Sequence, residues 1–371
     1  MAELRALLAG GGTAGHVNPL LATATELAAR PGGAALAVLG TAEGLESRLV
    51  PAAGLPLRVV PRVPLPRRPS PDLLRLPGRL WAAVAVAADA VRESRAEVVV
   101  GFGGYVATPA YLAARRLGVP VVIHEQNARP GLANRLGARW ARHVAVTFPG
   151  TPLRGATLTG LPLRAPVAEL VAERAADTAG RRRRGAAALG LDPDATTLLV
   201  TGGSLGAQRI NEAVSAGAAA LDAAGVQVLH LTGQGKDAAV RAATAGLDRY
   251  HVLPYLDDMA SAYAAADLVL ARAGAGTVSE LAALGLGAVY VPLPIGNGEQ
   301  RRNAADVVAA GGGLLVADAD LTPEYVTGPL LELLADAGRL AAMGRAAAGA
   351  GIRDGAARLA DLVVSAAREG R

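Results

Sequence analysis

Leu7-Leu8-Ala9-Gly10-Gly11-Gly12-Thr13-Ala14-Gly15 near the start of the chain and Leu198-Leu199-Val200-Thr201-Gly202-Gly203-Ser204-Leu205-Gly206 in its middle are one pattern written twice: a short apolar run that breaks into a glycine turn. Such a run has the length of one buried strand, and the glycines let the chain turn sharply into the next element. Leu4–Ala9 is the first of these strands, followed outward by Ala34–Leu39, Val98–Val100, Val119–Ile123 and His143–Val146. In the second half Thr197–Val200, Val226–Leu231, His251–Leu253, Leu268–Ala271 and Ala288–Val291 read the same way. Ala/Leu-rich stretches of helical character lie between them. Strands alternating with helices predict parallel sheets covered on both faces, so the expected class is α/β, with two Rossmann-like doubly wound domains.

The 371 residues fit two to three domains at roughly 150 residues each, two being the simplest division. Gly160-Leu161-Pro162-Leu163-Arg164-Ala165-Pro166 supplies a proline-marked crossover, so the domains are expected at 1–163 and 164–350. The tail from about 351 to 371 reads as an amphipathic helix through Ala357, Leu359, Leu362 and Val363. A content of 51% hydrophobic against 19% charged residues is globular, which excludes a disordered or fibrous chain. Cysteine is absent, so disulfides, thiolate zinc sites, iron–sulfur clusters and cysteine nucleophiles are excluded.

The net charge is +5, and Lys236 is the single lysine among 37 basic residues. A basic surface suits anionic partners such as phosphates, lipid head groups or nucleic acid, while the run Arg181-Arg182-Arg183-Arg184 reads as a solvated insertion. No segment approaches the ~20 apolar residues of a membrane span. The longest candidate, Trp81–Val91, is short and contains Asp89. The first ten residues read as an opening strand instead of a signal sequence, which leads to the expectation of a soluble, cytoplasmic protein.

Gly10, Gly12 and Gly15 satisfy G-x-G-x-x-G between a strand and a helix, a geometry that brings backbone N–H groups close to a phosphate. A dinucleotide site also wants an acidic residue at the end of the second strand. That strand ends Val38-Leu39-Gly40-Thr41, and the first acid, Glu43, lies beyond the turn. This argues against NAD or FAD and leaves a turn needed only for packing as the plain alternative. His16 opens the following helix, whose positive end lowers an imidazole pKa and favours the neutral form. It is a candidate general base, with a structural histidine as the alternative. The strand Val121-Val122-Ile123 runs into His124-Glu125-Gln126-Asn127, four polar residues where doubly wound sheets place ligands. Gly101-Phe102-Gly103-Gly104-Tyr105 follows another strand and allows close approach of a backbone or a ligand.

In the second half, a strand ends at Arg272, a glycine loop turns through Ala273-Gly274-Ala275-Gly276, and a helix is expected to begin near Thr277. Free N–H groups and a guanidinium suit a diphosphate, and Glu280 one turn in suits the two hydroxyls of a ribose. A helix start capped by Ser279 and Glu280 is the plain alternative. Gly296-Asn297-Gly298-Glu299-Gln300 is a further polar loop after a strand.

Taken in order, Gly10 to Pro19, Gly101 to Tyr105, His124 to Asn127, Gly202 to Gln208, Arg272 to Glu280 and Gly298 to Gln300 resemble the inverting glycosyltransferases of the GT-B fold. Within them the likeness is to the N-acetylglucosaminyltransferases of bacterial peptidoglycan synthesis, and it spans essentially the whole chain. The resemblance implies GT-B architecture, with the domains facing across a cleft and the tail helix packed back on the first, acceptor-side domain. The implied reaction moves N-acetylglucosamine from UDP-N-acetylglucosamine to the 4-hydroxyl of the N-acetylmuramyl group of lipid I, giving lipid II and UDP.

The resemblance puts Arg164 and Ser204 at the diphosphate and sugar, and Leu256 at the uracil edge through its backbone. It puts Arg272, Ala275, Gly276, Thr277, Val278, Ser279 and Glu280 at the nucleotide, with Glu280 on the ribose. Gln300 reaches the sugar, as do Asn127 and the Thr13-Ala14-Gly15 turn of the first domain, while Gly103, Gly104 and Tyr105 lie on the acceptor side. Ala14 stands where the family usually has glycine, and Asn18 where it commonly has an aromatic or small residue. His16 is the implied general base and Glu125 its competitor. No aspartate pair at the end of an expected strand resembles a metal-binding DxD, so neither a divalent ion nor another cofactor is expected.

A polyprenyl-linked acceptor implies peripheral attachment to the cytoplasmic face of the cell membrane. Pro71 to Trp81 alternates Leu and Trp with Arg, so Leu73, Leu76, Leu80 and Trp81 are expected to contact the anionic inner leaflet; a helix facing the core is the alternative. Cell-wall synthesis and division proteins are implied partners, and nucleic acid is not. The rival readings are another GT-B transferase or a UDP-N-acetylglucosamine epimerase, a flavin or nicotinamide oxidoreductase, and a non-catalytic membrane scaffold.

Overall fold

A computed structural model describes residues 3–63, 72–203 and 206–370, without the side chains of 72–75. The chain divides into two compact units, Met1–Arg164 together with Asp354–Arg371, and Ala165–Arg353. Among the described residues, the first unit carries β1 (Leu4–Ala9), β2 (Ala34–Gly40), β3 (Leu57–Val59), β4 (Val98–Gly101), β5 (Val121–Glu125), β6 (His143–Val146) and β7 (Ala156–Leu158), in the order β3-β2-β1-β4-β5-β6-β7. The second carries β8 (Thr197–Thr201), β9 (Gln227–Leu231), β10 (Tyr250–Leu253), β11 (Leu268–Ala271), β12 (Gly287–Tyr290) and β13 (Gly313–Leu315), ordered β10-β9-β8-β11-β12-β13. Every neighbouring pair is parallel. Each sheet reverses its winding beside its first strand, where open α/β sheets form their ligand crevice.

The central strands are unbroken apolar runs because both faces are covered. Leu7 and Ala9 of β1 pack with Val99, Tyr111 and Ile123 on one face. Ala6 and Leu8 pack with Leu20, Leu27, Val100 and Val122 on the other. The helix Gly355–Glu369 completes that second face with Leu359, Ala360, Val363 and Ala366. Arg30 fastens it, pairing with Asp361 at 2.6 Å and donating to the Ala357 carbonyl at 2.8 Å. Burying each such Leu or Val contributes about 1.5–3 kcal/mol. Among the described residues, no helix is long and apolar enough to cross a membrane.

The arginine run is solvated only in its second half, where Arg183 and Arg184 are exposed. It lies in the helix Thr178–Ala188, whose Gly185 packs closely on the Ser261 carbonyl and Ala264. Arg182 grips Asp267 through both terminal nitrogens, at 2.6 and 2.9 Å, and donates to the carbonyls of Pro193 and Ala195. Asp267 in turn accepts from the amide of Thr197, so this arginine ties the starts of β8 and β11 together.

Candidate active site

The register Ala9↔Gly101 sets the carboxyl ends of β1 and β4 side by side, so the loops that follow them meet. Thr13 is extended and precedes the helix Ala14–Ala29; its hydroxyl lies 3.0 Å from Nδ1 of His16 instead of capping the helix. Gly103 and Gly104 have positive φ and close over this corner. A Cβ at 104 would sit 2.7 Å from the Gly11 carbonyl, and one at 103 would press on the His16 ring at 3.2 Å. Burial lowers the His16 pKa below the ordinary 6.5, opposed by the Gly11 carbonyl and the field of Glu46. The imidazole is therefore neutral at pH 7, as a base must be. Ala14 is half-buried, Gly15 exposed, and Tyr105 is 41% exposed with the Arg62 guanidinium over its ring.

At the end of β5, Glu125 is buried, and its carboxylate gathers the loop that follows. Oε1 accepts from the Asn127 amide at 2.9 Å, and Oε2 from the Gly131 amide at 3.0 Å and the Asn134 side chain at 2.9 Å. Burial raises its pKa against the pull of these donors. Tyr111 holds the other end of Asn134 through its hydroxyl, at 2.7 Å. His124 is fully buried, with its Nε2 3.0 Å from the Gly160 carbonyl and its Nδ1 3.0 Å from the Gln126 amide nitrogen. Since a carbonyl only accepts, Nε2 carries the proton, and burial takes the pKa down to about 4. His124 and Glu125 thus brace the corner, while Asn127 remains half-buried at its edge.

In the second unit, the register Ala271↔Thr201 brings the exit of β11 beside that of β8. The helix there runs Ala275–Leu284, two residues earlier than expected, with Gly274 as N-cap and no side chain capping it. Ser279 and Glu280 are therefore not the cap, and the first-turn N–H groups of Ala275, Gly276 and Thr277 are left without a side-chain acceptor at the N-cap. Glu280 is buried one turn in, where the Tyr263 hydroxyl donates to its Oε2 at 3.0 Å. Val278 and Ser279 are buried.

Arg272, expected at a diphosphate, is engaged within the unit. It pairs with Asp318 at 2.6 Å and donates to the carbonyls of Val291 and Pro292 at 3.1 and 3.2 Å. Its guanidinium braces the exits of β11 and β12, with its charge matched by Asp318. The Asn303 side chain supports the same loop through the Ala273 carbonyl, at 3.3 Å. Gln300 lies in the helix Glu299–Asn303, and its Oε1 accepts from the Leu293 amide at 2.9 Å. Leu256 is half-buried in the loop after β10, and Arg164 half-buried at the end of the first unit's crossover. Ser204 lies outside the described residues.

Of the expected membrane residues, Leu76 and Leu80 lie partly buried against the core of the first unit, and Trp81 is 63% exposed. The Leu73 side chain lies outside what is described. The core takes part of a face that the alternation of Leu and Arg assigned wholly to lipid.

Sequence reasoning missed Asn134, Tyr111, Tyr263, Asp318 and Asn303. Each acts on a partner 9 to 46 positions away, as in Tyr263 with Glu280 or Arg272 with Asp318, so no local spacing reveals it.

Both halves match known domains. Residues 6–146 match the glycosyltransferase family 28 N-terminal domain and residues 197–359 the family 28 C-terminal domain. The chain is 56% identical over 363 residues to a UDP-N-acetylglucosamine–N-acetylmuramyl-(pentapeptide) pyrophosphoryl-undecaprenol N-acetylglucosamine transferase of a Nocardioides species, covering 97% of this chain and 98% of that one. A protein of the same name from Paenarthrobacter aurescens is 54% identical, with 98% and 96% covered. The crystal structure of Acinetobacter baumannii MurG superposes with a TM-score of 0.77 at 30% identity, covering 98% of this chain and 99% of that one. Two family domains in order, relatives matched from end to end and two parallel sheets with polar exits lead to one assignment: the chain belongs to glycosyltransferase family 28.

Proposed function

We propose that the protein transfers N-acetylglucosamine from UDP-N-acetylglucosamine to the 4-hydroxyl of the N-acetylmuramyl group of lipid I, with inversion, releasing UDP and forming lipid II. The observation that carries this reading is the exit of β11: a helix start with no side-chain cap, followed one turn later by the buried carboxylate of Glu280. That pairing suits a nucleoside diphosphate, with the N–H groups on the phosphates and Glu280 on the ribose. The activity carried in the names of its full-length relatives supplies the sugar and the acceptor.

The acceptor oxygen attacks the anomeric carbon, the bond from that carbon to the diphosphate oxygen breaks, and UDP leaves with the electron pair. The hydroxyl proton passes to His16, which is neutral for the purpose. Glu125 is the weaker candidate for the base, because both its oxygens already accept from the loop it gathers. Negative charge growing on UDP is met by the helix dipole. Arg272 contributes by fixing the loop, and Asn127, Gln300, Arg164 and Ser204 are assigned to the sugar and diphosphate. The test is transfer of labelled N-acetylglucosamine to a lipid I analogue, with and without EDTA. Product formation unchanged by the chelator is expected. Epimerised UDP-sugar in the absence of acceptor, or NADH binding without uridine preference, would reject the reading.

The acceptor's lipid implies attachment at the cytoplasmic face of the cell membrane, where Trp81 dips among anionic head groups and cell-wall synthesis and division proteins are neighbours. The exposed Trp81 supports this. Replacing Trp81 and Leu73 together by alanine is expected to abolish co-sedimentation with anionic vesicles without altering turnover of a short-chain soluble acceptor; undiminished sedimentation rejects it.

A further inference from the structure

The glycine turn after β1 has the spacing of a phosphate-binding turn, yet it already holds an anion of its own. Glu46 opens the helix Glu46–Ala52 and is fully buried. Its Oε2 accepts from the Gly12 amide at 2.8 Å, and its Oε1 from the Thr41 amide at 2.9 Å and the Thr41 hydroxyl at 2.7 Å. Gly11, Gly40 and Gly44 surround it so closely that a Cβ on any of them would overlap its side chain. Three glycines, one after β1 and two at and after the end of β2, thus make room for one carboxylate. A buried charge costs several kcal/mol unless donors compensate it, and here three donors do, holding Glu46 below the usual carboxylate range.

We propose that Glu46 is a positioning residue, a built-in anion that occupies the glycine turn in place of a ligand phosphate and thereby fixes His16 for proton transfer. The inference rests on the reading of His16 as base. Gly12, pinned by Glu46, is flanked by the two groups that face the imidazole: the Gly11 carbonyl before it and the Thr13 hydroxyl after it. If the turn shifts, both partners of the ring shift with it. The same occupancy repels a dinucleotide diphosphate, so the fingerprint Gly10, Gly12 and Gly15 serves the acceptor-side base and not a cofactor.

The field of Glu46 also favours the protonated imidazole. The other charged groups on the packed elements are engaged elsewhere or point to solvent. Glu26 and Arg30 lie at the far end of the His16 helix and pair with each other and with Asp361; Arg358 pairs with Asp354 on the tail helix. Arg48 and Glu43 are exposed, and Arg62 lies over Tyr105.

The experiment compares Glu46→Gln, Glu46→Asp and His16→Ala with the wild-type full chain in the transfer assay, recording kcat, the KM for UDP-N-acetylglucosamine and the acid limb of kcat/KM. For Glu46→Gln, kcat is expected to fall about 10–100-fold, the scale of a misplaced catalytic group. Its donor KM should be unchanged, and the acid limb should move to lower pH as the stabilising charge is lost. Glu46→Asp keeps the charge but is one methylene short of spanning Gly12 and Thr41. It should lose turnover with the limb near its wild-type position, which keeps the proposal testable if the glutamine variant fails to fold. Wild-type kcat in the aspartate variant, or a glutamine variant with lowered Tm but an unmoved limb, overturns the proposal. If His16→Ala retains the acid limb, the base assignment itself has failed. If it loses the limb while Glu46→Gln does not shift it, only the role of Glu46 has.

Discussion

Replacing His16 by alanine should lower kcat about 10²–10⁴-fold, the usual contribution of a positioned general base. The KM for UDP-N-acetylglucosamine should stay unchanged, because the groups assigned to the uracil and the ribose, Leu256 and Glu280, belong to the other unit. The pH profile gives the sharper readout. A base works unprotonated, and burial puts the His16 pKa below 6.5. The wild-type enzyme should therefore hold its kcat/KM through neutrality and lose it only as pH falls through that lowered pKa, whereas the alanine variant should show a flat, low profile over the same range. An acid limb above pH 6.5, or one that survives in the variant, would move the assignment to Glu125.

Glu280→Gln should weaken UDP binding about 10–150-fold, the equivalent of roughly 1.5–3 kcal/mol for hydrogen bonds to a charged acceptor. The loss should be specific to the ribose. Wild-type protein is expected to prefer UDP over its 2′-deoxy analogue, and the variant to bind the two alike. Tyr263→Phe removes the hydroxyl that donates to Glu280 Oε2 and should erode the same preference to a smaller degree. Calorimetry with the two nucleotides measures both. Undiminished UDP affinity in Glu280→Gln would remove the ribose role, and with it the principal support for a donor site at the β11 exit.

Sequence resolved what is local and left out what is made by folding. Strands such as Leu4–Ala9, His143–Val146 and Leu268–Ala271 were legible to the residue, because a strand covered on both faces must be apolar throughout. Leu57–Val59, Ala156–Leu158 and Gly313–Leu315 were not, since three-residue strands at sheet edges need no apolar run. Turn positions followed from glycine, but the roles of charged groups within them did not. Arg272 beside a glycine loop reads as a phosphate ligand until Asp318, 46 positions away, is seen against it. Glu43 is the first acid that spacing offers after β2, while Glu46, one helical turn further, is the one that folds back beneath the first glycine turn. Hydrogen bonds across such distances are set by topology, which composition and spacing do not encode.

The first unit is interrupted in sequence: it begins the chain, breaks off at Arg164 and is completed only by the helix Gly355–Glu369. During synthesis the second unit, continuous from Ala165 to Arg353, is wholly available before that last helix leaves the ribosome. Until then Leu8, Leu20 and Leu27 lack the cover of Leu359 and Val363, so the amino-terminal unit stays open and hydrophobic while the later one is free to finish. The usual order of maturation from the amino terminus is thereby inverted. A chain whose helix Gly355–Glu369 has not yet docked would offer the face of Leu8, Leu20 and Leu27 that normally receives it to chaperones or to other nascent chains.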